Sequence, residues 1–294
     1  MHTLFKIRFF LAVVVLFVST AMNASPILAK PSGRATTAIT ARGTTVLLVG
    51  VDRRPGERTA RADALLLLHL DPKSGSTSVL SLPRDLLVPV PGRGSQKINS
   101  GYLYGGLALQ KRTVSEFLGV RIDYAAAINF GGFEGLVNAL GGITVNVPRR
   151  LVDPAYPTAN YGTTVIRFEP GVQRMNGARA LIYSRTRHPD SDFGRMGRQR
   201  QVIAAIGRRI QELGALGTAK RARAIAAQLS NFVVTDMPIS AMGPLLWGAR
   251  GTGAKVRNYA VDLSYCRPAT VKGAYVLIPD RRAITALARR WAGR

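Results

Sequence analysis

The sequence predicts an α/β layered domain, with helices covering a central sheet. Three observations carry this. Apolar runs of strand length recur along the chain, stretches of helical period fall between them, and Gly, Pro, Asn and Asp mark the joints. At 294 residues and 47% hydrophobic content, the chain can bury a substantial core. No internal repeat and no second-domain boundary is visible, so residues 44–294 read as one domain.

Lys6 and Arg8 precede an uninterrupted apolar and small-residue run from Phe9 to Met22. That is the pattern of a signal peptide, or of an uncleaved anchor if the run extends to Leu28. Residues 1–29 are therefore an export segment, and positive charge on its N-terminal side places the rest of the chain outside the cytoplasm. Residues 30–43, rich in Ser, Thr, Gly and Ala, read as a flexible linker.

Thr45–Val51 is a buried strand ending in the loop that starts at Asp52-Arg53-Arg54. Arg61-Ala62-Asp63 leads into the apolar run Ala64–Leu70. Asp71-Pro72-Lys73-Ser74-Gly75 is turn chemistry, and Thr77–Leu82 follows, so these two runs predict a hairpin. Val88–Pro91 follows Pro83-Arg84-Asp85. A helix is expected from Lys97 to about Leu118, then a strand over Asp123–Asn129. Phe130, Phe133, Leu136, Val137 and Leu140 have helical spacing, stopped by Gly141-Gly142. Ile143–Val147 is a further strand, and Arg149–Thr164 reads as a long loop. Asn176–Tyr183 is helical. Another helix begins near Phe193, with Val202, Ile203, Ile206, Ile210 and Leu213 on its apolar side. Separate helices are expected over Thr218–Leu229 and Pro238–Ala249, strands over Lys255–Val261 and Ala274–Ile278. A last helix carries Ile284, Leu287, Ala288 and Trp291 on one face.

The net charge is +25, and 33 of the 41 basic residues are arginine. Such a balance favours anionic partners without choosing among them. Export, and the lack of a helix-turn-helix or basic-aromatic pattern, argue against nucleic acid. The single cysteine, Cys266, excludes an intrachain disulfide and reads as a small core residue. No phosphate loop of the GxxxxGK[ST] or GxGxxG type is present, nor a GxSxG elbow.

Charged residues gather instead at the ends of strands and in one basic stretch. Asp52 ends the first strand, Asp63 precedes the second, and Arg84-Asp85 follow the third. If those strands are neighbours, the two carboxylates can converge in a set that suits Mg²⁺ beside phosphate oxygens. The plainer reading of each carboxylate is a salt bridge or a turn cap. Tyr183–Gln201, YSRTRHPDSDFGRMGRQRQ, packs five arginines around Asp190 and Asp192. Guanidinium forks beside a helix N-terminus make a receptor for phosphate; a solvated basic helix capped by Asp192 reads equally well from that stretch alone.

Taken together, VLLVGVDRR with RAD, SVLSLPRD, KINSGYLYGG, INFGGFEGLVNALGGITVNVP and YSRTR…DSDFGRMGRQRQ resemble the LytR–CpsA–Psr family of cell-wall phosphotransferases. The resemblance spans about Val46 to Leu213 and weakens beyond. It implies a three-layer α/β/α sandwich with a mixed sheet and a hydrophobic cavity for a polyprenyl chain. It also implies transfer of a glycopolymer from a polyprenyl-pyrophosphate carrier to peptidoglycan at the cytoplasmic membrane. Carried over, Asp52 and Asp63 would hold Mg²⁺ or Mn²⁺. Arg53, Arg61, Arg84, Arg185, Arg187, Arg195 and Gln199 would grip the pyrophosphate. Arg84, Arg195 and Asp192 would be the catalytic set, with Asp192 as base or as the residue orienting the hydroxyl. Ala62 stands where a Ser is usual, which would remove a hydroxyl near the metal. A polyprenyl-phosphate binding module without chemistry, or a pyrophosphatase, would share the same residues.

Overall fold

The computed structural model describes residues 43–52, 61–71, 76–158, 162–187, 190, 192–229, 233–238, 241 and 256–293. The expected export segment, nearly all of the expected linker, Arg53 and most of the helix expected over Pro238–Ala249 lie outside the described residues.

A mixed six-stranded sheet forms the centre, in the order β11-β6-β1-β2-β3-β12. β1 (Thr44–Asp52) pairs antiparallel with β2 (Arg61–Asp71), which pairs antiparallel with β3 (Ser76–Leu82). β6 (Tyr124–Asn129) runs parallel to β1 on its other side. β11 (Val233–Thr235) and β12 (Val256–Ala260) form the edges. This up-down-up order of β1, β2 and β3 brings the end of β1, the start of β2 and the end of β3 to one side. Asp52, Asp63 and Arg84 come together as the neighbouring-strand expectation requires.

Strand alternation assigns two jobs to the same residues' neighbours. Leu47, Val49 and Val51 of β1, with Leu65 and Leu67 of β2, enter the larger core. There they meet Val114, Phe117 and Leu118 of α1 (Ser100–Leu118) and Ile284, Leu287, Ala288 and Trp291 of α5 (Arg281–Trp291). The apolar face expected of the last helix is thus buried. On the opposite face of the sheet, Leu48, Gly50 and Asp52 of β1 and Ala64 and Leu66 of β2 line a cavity. Its other wall is α4 (Asp192–Leu229), through Arg195, Gln199, Val202, Ile203 and Ile206. α2 (Phe130–Ala139) and α3 (Gly177–Arg185) flank α4 and share a second core with it. Leu136, Val137 and Leu140 there pack with Ala180, Tyr183, Val202, Ala205 and Ile206.

Several boundaries differ from the sequence expectation. α1 starts at Ser100, because Gly94–Lys97 is β5, paired with β4 (Leu87–Val90). α1 is also interrupted at Gly105-Gly106, where the second glycine has φ 59°. The expected long loop Arg149–Thr164 is mostly a ribbon, β8 (Leu151–Pro157) with β9 (Thr163–Phe168). Its pairing shifts register between Asp153 and Tyr156, which accommodates Pro154. The two helices expected on either side of Leu213 are one continuous α4 of 38 residues. Gly214 and Gly217 lower helix propensity there without breaking it. β7 (Ile143–Val147) pairs with β10 (Gly171–Met175), and β13 (Cys266–Val271) with β14 (Ala274–Pro279).

Candidate functional site: an arginine-walled cavity

A cavity of about 380 Å³ lies between the sheet and α4. One end is apolar, lined by residues such as Leu48, Leu66, Leu136, Ile203, Ile206 and Val233. The other end is charged, with Arg84, Arg185, Arg187 and Arg195 facing Asp52, Asp63 and Asp153.

Asp63 reaches the cavity through a β-bulge. Gly50 pairs with Ala64 and Val51 with Ala62, so Asp63 is the extra residue between them. Both Asp63 and its neighbour Ala64 therefore line the cavity, while Ala62 turns into the core. This corrects the expectation for position 62: its side chain faces the apolar core, away from the cavity. Asp63 lies within the strand rather than before it, and its carboxylate is ion-paired with Arg84.

Arg84 follows β3 and is the hub. Its Nε lies 3.4 Å from Asp192 Oδ2 and 3.6 Å from Asp85 Oδ2, and hydrogen-bonds neither. Burial opposes its charge, but Asp63, Asp192 and Asp85 outweigh that and hold its pKa above the ordinary value. Arg185, at the C-terminal end of α3, stacks 4.0 Å over the Phe130 ring and donates to Asp52 Oδ2 at 3.3 Å. It also donates to the Tyr156 hydroxyl at 3.4 Å.

Asp192 opens α4 and binds three arginines. Arg187 donates to its Oδ1 at 2.9 and 3.1 Å, Arg195 to its Oδ2 at 3.2 Å, and Arg84 completes the set. Burial acts to raise its pKa, yet Arg195, Arg84 and Arg187 together hold it below the usual carboxylate range. Asp192 is not itself on the cavity wall; it stands behind the arginines that are.

Arg195 is the most exceptional group. It is only 4% exposed, and Asp192 is its one ion-paired carboxylate among the described residues. Its Nε has no hydrogen-bond partner there. Burial pushes its pKa down to about 10. A buried guanidinium left this short of partners presents donors to the cavity.

Of the residues expected at the site, Asp52, Asp63, Arg84, Arg185, Arg187, Arg195 and Gln199 all line the cavity. Arg61 does not: it is the exposed first residue of β2, paired across the ladder with Asp52. Arg53 lies outside the described residues. Sequence reasoning missed Asp153, Phe130 and Tyr156. Asp153 is 1% exposed and accepts the backbone N–H of Arg187 at 3.2 Å, which ties down the segment leading out of α3, and that of Ala155 at 3.2 Å. Its signal was the aspartate beside Pro154, masked because the segment reads as a loop.

The donors at the mouth fit a hard divalent cation. Asp52 and Asp63 supply two carboxylates on one wall, and Mg²⁺ takes one or two of these plus phosphate oxygens and water. Among the described residues no group of three or more His, Cys, Asp or Glu could cage a metal by itself. Such an ion would therefore need oxygens from the ligand.

Fold and site together define an α/β protein whose central sheet carries an apolar cavity with an arginine-lined mouth. The chain belongs to the LytR_cpsA_psr family, whose model matches residues 14–291. It is 34% identical over 239 residues to the polyisoprenyl-teichoic acid–peptidoglycan teichoic acid transferase TagU of Halalkalibacterium halodurans, covering 80% of this chain and 74% of that one. The TagU of Bacillus subtilis is 40% identical over 164 residues, 55% of this chain and 50% of that protein, so the chain matches about half the length of that relative. The crystal structure of B. subtilis TagV superposes with a TM-score of 0.69 at 27% identity, covering 86% of this chain and 98% of that one.

Proposed function

We propose that this protein is an extracytoplasmic phosphotransferase that moves a glycopolymer from a polyprenyl-pyrophosphate carrier to peptidoglycan. The observation that carries this reading is the union, in one cavity, of an apolar bed and a wall of four arginines. A polyprenyl chain suits the first and a pyrophosphate the second. The names of the TagU relatives, acting on polyisoprenyl-teichoic acid and peptidoglycan, support the same assignment.

Phosphoryl transfer asks for positioning and charge neutralisation more than for covalent chemistry. In the free protein, Arg84 is paired with Asp63 and Arg185 with Asp52. Mg²⁺ held by Asp52 and Asp63 would neutralise phosphate charge and free both guanidiniums for the ligand. Arg195 and Arg187 face the same space from α4 and the segment before it. The acceptor hydroxyl oxygen attacks the glycan-bearing phosphorus, and the bond from that phosphorus to the bridging oxygen breaks. Polyprenyl monophosphate leaves, and the hydroxyl proton passes to solvent. Asp192, ionised and held by three arginines, sets the positions of Arg187 and Arg195; its depressed pKa makes it a poor base. Arginine suits this wall because it keeps its charge at any working pH and binds phosphate through a planar fork.

The test is turnover of a purified sample with a short-chain polyprenyl-pyrophosphate glycan, Mg²⁺ and peptidoglycan fragments. Arg84→Ala should lose at least about a hundredfold in kcat/KM, as expected for removing a charged donor to a transition state, while remaining folded. Chelation should abolish turnover, and Mg²⁺ or Mn²⁺ restore it. Product released to water rather than to the glycan acceptor would instead make the protein a pyrophosphatase. Carrier bound without turnover would make it a binding module.

A further inference from the structure

A second arginine cluster lies away from the mouth, around the C-terminal turn of α2. Arg174 of β10 donates to Gly141 O at 2.7 Å, Arg209 of α4 to Leu140 O at 3.0 Å, and Arg221 of α4 to Ala139 O at 3.1 Å. Arg208 reaches Thr144 O at 3.4 Å. A Cβ at Gly141 would lie 3.4 Å from an Nη of Arg209 and 3.5 Å from one of Arg221. At Gly142 it would lie 3.6 Å from Arg174 Nε. Three guanidiniums from two elements thus crowd one glycine pair.

Closing the helix does not require them. Gly142 N–H already bonds Val137 O at 2.9 Å and Gly141 N–H bonds Asn138 O at 2.8 Å, with both glycines at positive φ. Nor are they neutralised. Among the described residues, the one carboxylate paired with any of the four is Glu212, 3.1 Å from Arg209 and itself more than half exposed. Adding the helix C-terminus, worth about half a negative charge, leaves an excess of about two and a half positive charges over the four. Each guanidinium carries five N–H donors, more than these carbonyls accept. Donors and positive charge are thus left over for an anionic group such as a phosphate.

The topology indicates which phosphate. β1 and β6 run in parallel toward the mouth, so α2 starts at the mouth with Phe130 and runs back from it. Its C-terminal turn points to the end of the sheet where β1 begins. That is the end to which the N-terminal apolar run, Phe9–Met22, is joined. Where that run anchors the chain in the bilayer, a basic group on this end is directed at the lipid headgroups. We infer that Arg174, Arg209 and Arg221 form a docking site for the phosphate of an anionic membrane lipid, holding the end of the domain opposite the mouth against the bilayer.

The inference is tested by calorimetric titration of the detergent-solubilised full chain with dihexanoyl-phosphatidylglycerol, dihexanoyl-phosphatidylcholine and inorganic phosphate. Saturable binding of the glycerol lipid, weakened about tenfold for each arginine changed to Gln, is the expected result. Arg174→Gln, at an exposed position, keeps the test open should the Arg209→Gln or Arg221→Gln variant not fold. Turnover at the mouth should be unchanged in Arg174→Gln, and lipid binding should persist in Arg84→Ala. This separates failure of the docking site from failure of the proposed reaction. Equal binding of the two lipids, phosphate binding as tightly as the glycerol lipid, or variants that bind like the parent would each overturn the inference.

Discussion

Arg195→Met should make the ligand-free protein more stable while destroying its function. Burial holds the Arg195 pKa down at about 10, well below the ordinary guanidinium range, because its charge is poorly accommodated. At about 1.4 kcal/mol per pKa unit, the charged form bears roughly 3 kcal/mol of unrelieved desolvation. The sign follows from the depressed pKa of a base. Below pH about 10 the folded and unfolded chains both carry the proton, so the whole penalty is present at neutrality. It is relieved only as pH rises through that value and the folded form loses its proton first. Met matches the arginine stem in length and removes the charge, and Asp192 still keeps Arg187 at 2.9 Å and Arg84 at 3.4 Å. A net gain of about 1–3 kcal/mol is expected, because the change removes a poorly solvated charge while Asp192 keeps two arginine partners and is not left as an unpaired buried charge. For a domain of this size that is roughly 2–4 °C in melting temperature per kcal/mol. Calorimetry of parent and variant without ligand, then with inorganic pyrophosphate and Mg²⁺, reads both halves. Pyrophosphate should raise the parent's melting temperature and leave the variant's unmoved. A ligand-free variant less stable than the parent by more than about 1 kcal/mol would refute the claim that Arg195 is a stored electrostatic cost.

Two further outcomes are expected. Because three arginines hold the Asp192 pKa below the usual range, the group stays ionised from mild acid upward, so kcat should show no acid limb between pH 5.5 and 8 (roughly the range spanned by unperturbed histidine and above) that depends on it. A limb near neutrality that disappears in Asp192→Asn would restore Asp192 as a general base. Gly177→Ala should cost about 3 kcal/mol or more, since its Cβ would overlap the backbone carbonyl of Glu134, which cannot move aside as a side chain could; an unchanged urea midpoint would show that α2 and α3 do not need this close approach.

Much of the site was legible in the sequence because its residues sit at strand ends and helix starts, which apolar runs mark plainly. The ends of β1 and β3 could be read from Thr45–Val51 and Thr77–Leu82, and with them Asp52 and Arg84. The start of α4 could be read from the spacing after Phe193. What could not be read depends on pairing between distant segments. The bulge that turns Asp63 into the cavity and Ala62 into the core exists only in the register of β2 against β1. The β8–β9 ribbon was obscured by Pro154 and Pro157, which a strand tolerates only at a bulge or an edge. Asp153 was hidden with it. The continuity of α4 past Gly214 runs against the low helix propensity of Gly214 and Gly217, which is why the sequence reads as two helices there.

Strand alternation in β1 and β2 has an evolutionary consequence. Leu47, Val49, Leu65 and Leu67 point into one layer, and Leu48, Ala64 and Leu66 into the cavity. Substitutions in the second set change the width and length of the space offered to a guest, while the first set, which sustains the fold, is untouched. A lineage can therefore reshape the cavity one residue at a time while the larger core on the other face of the sheet keeps its packing.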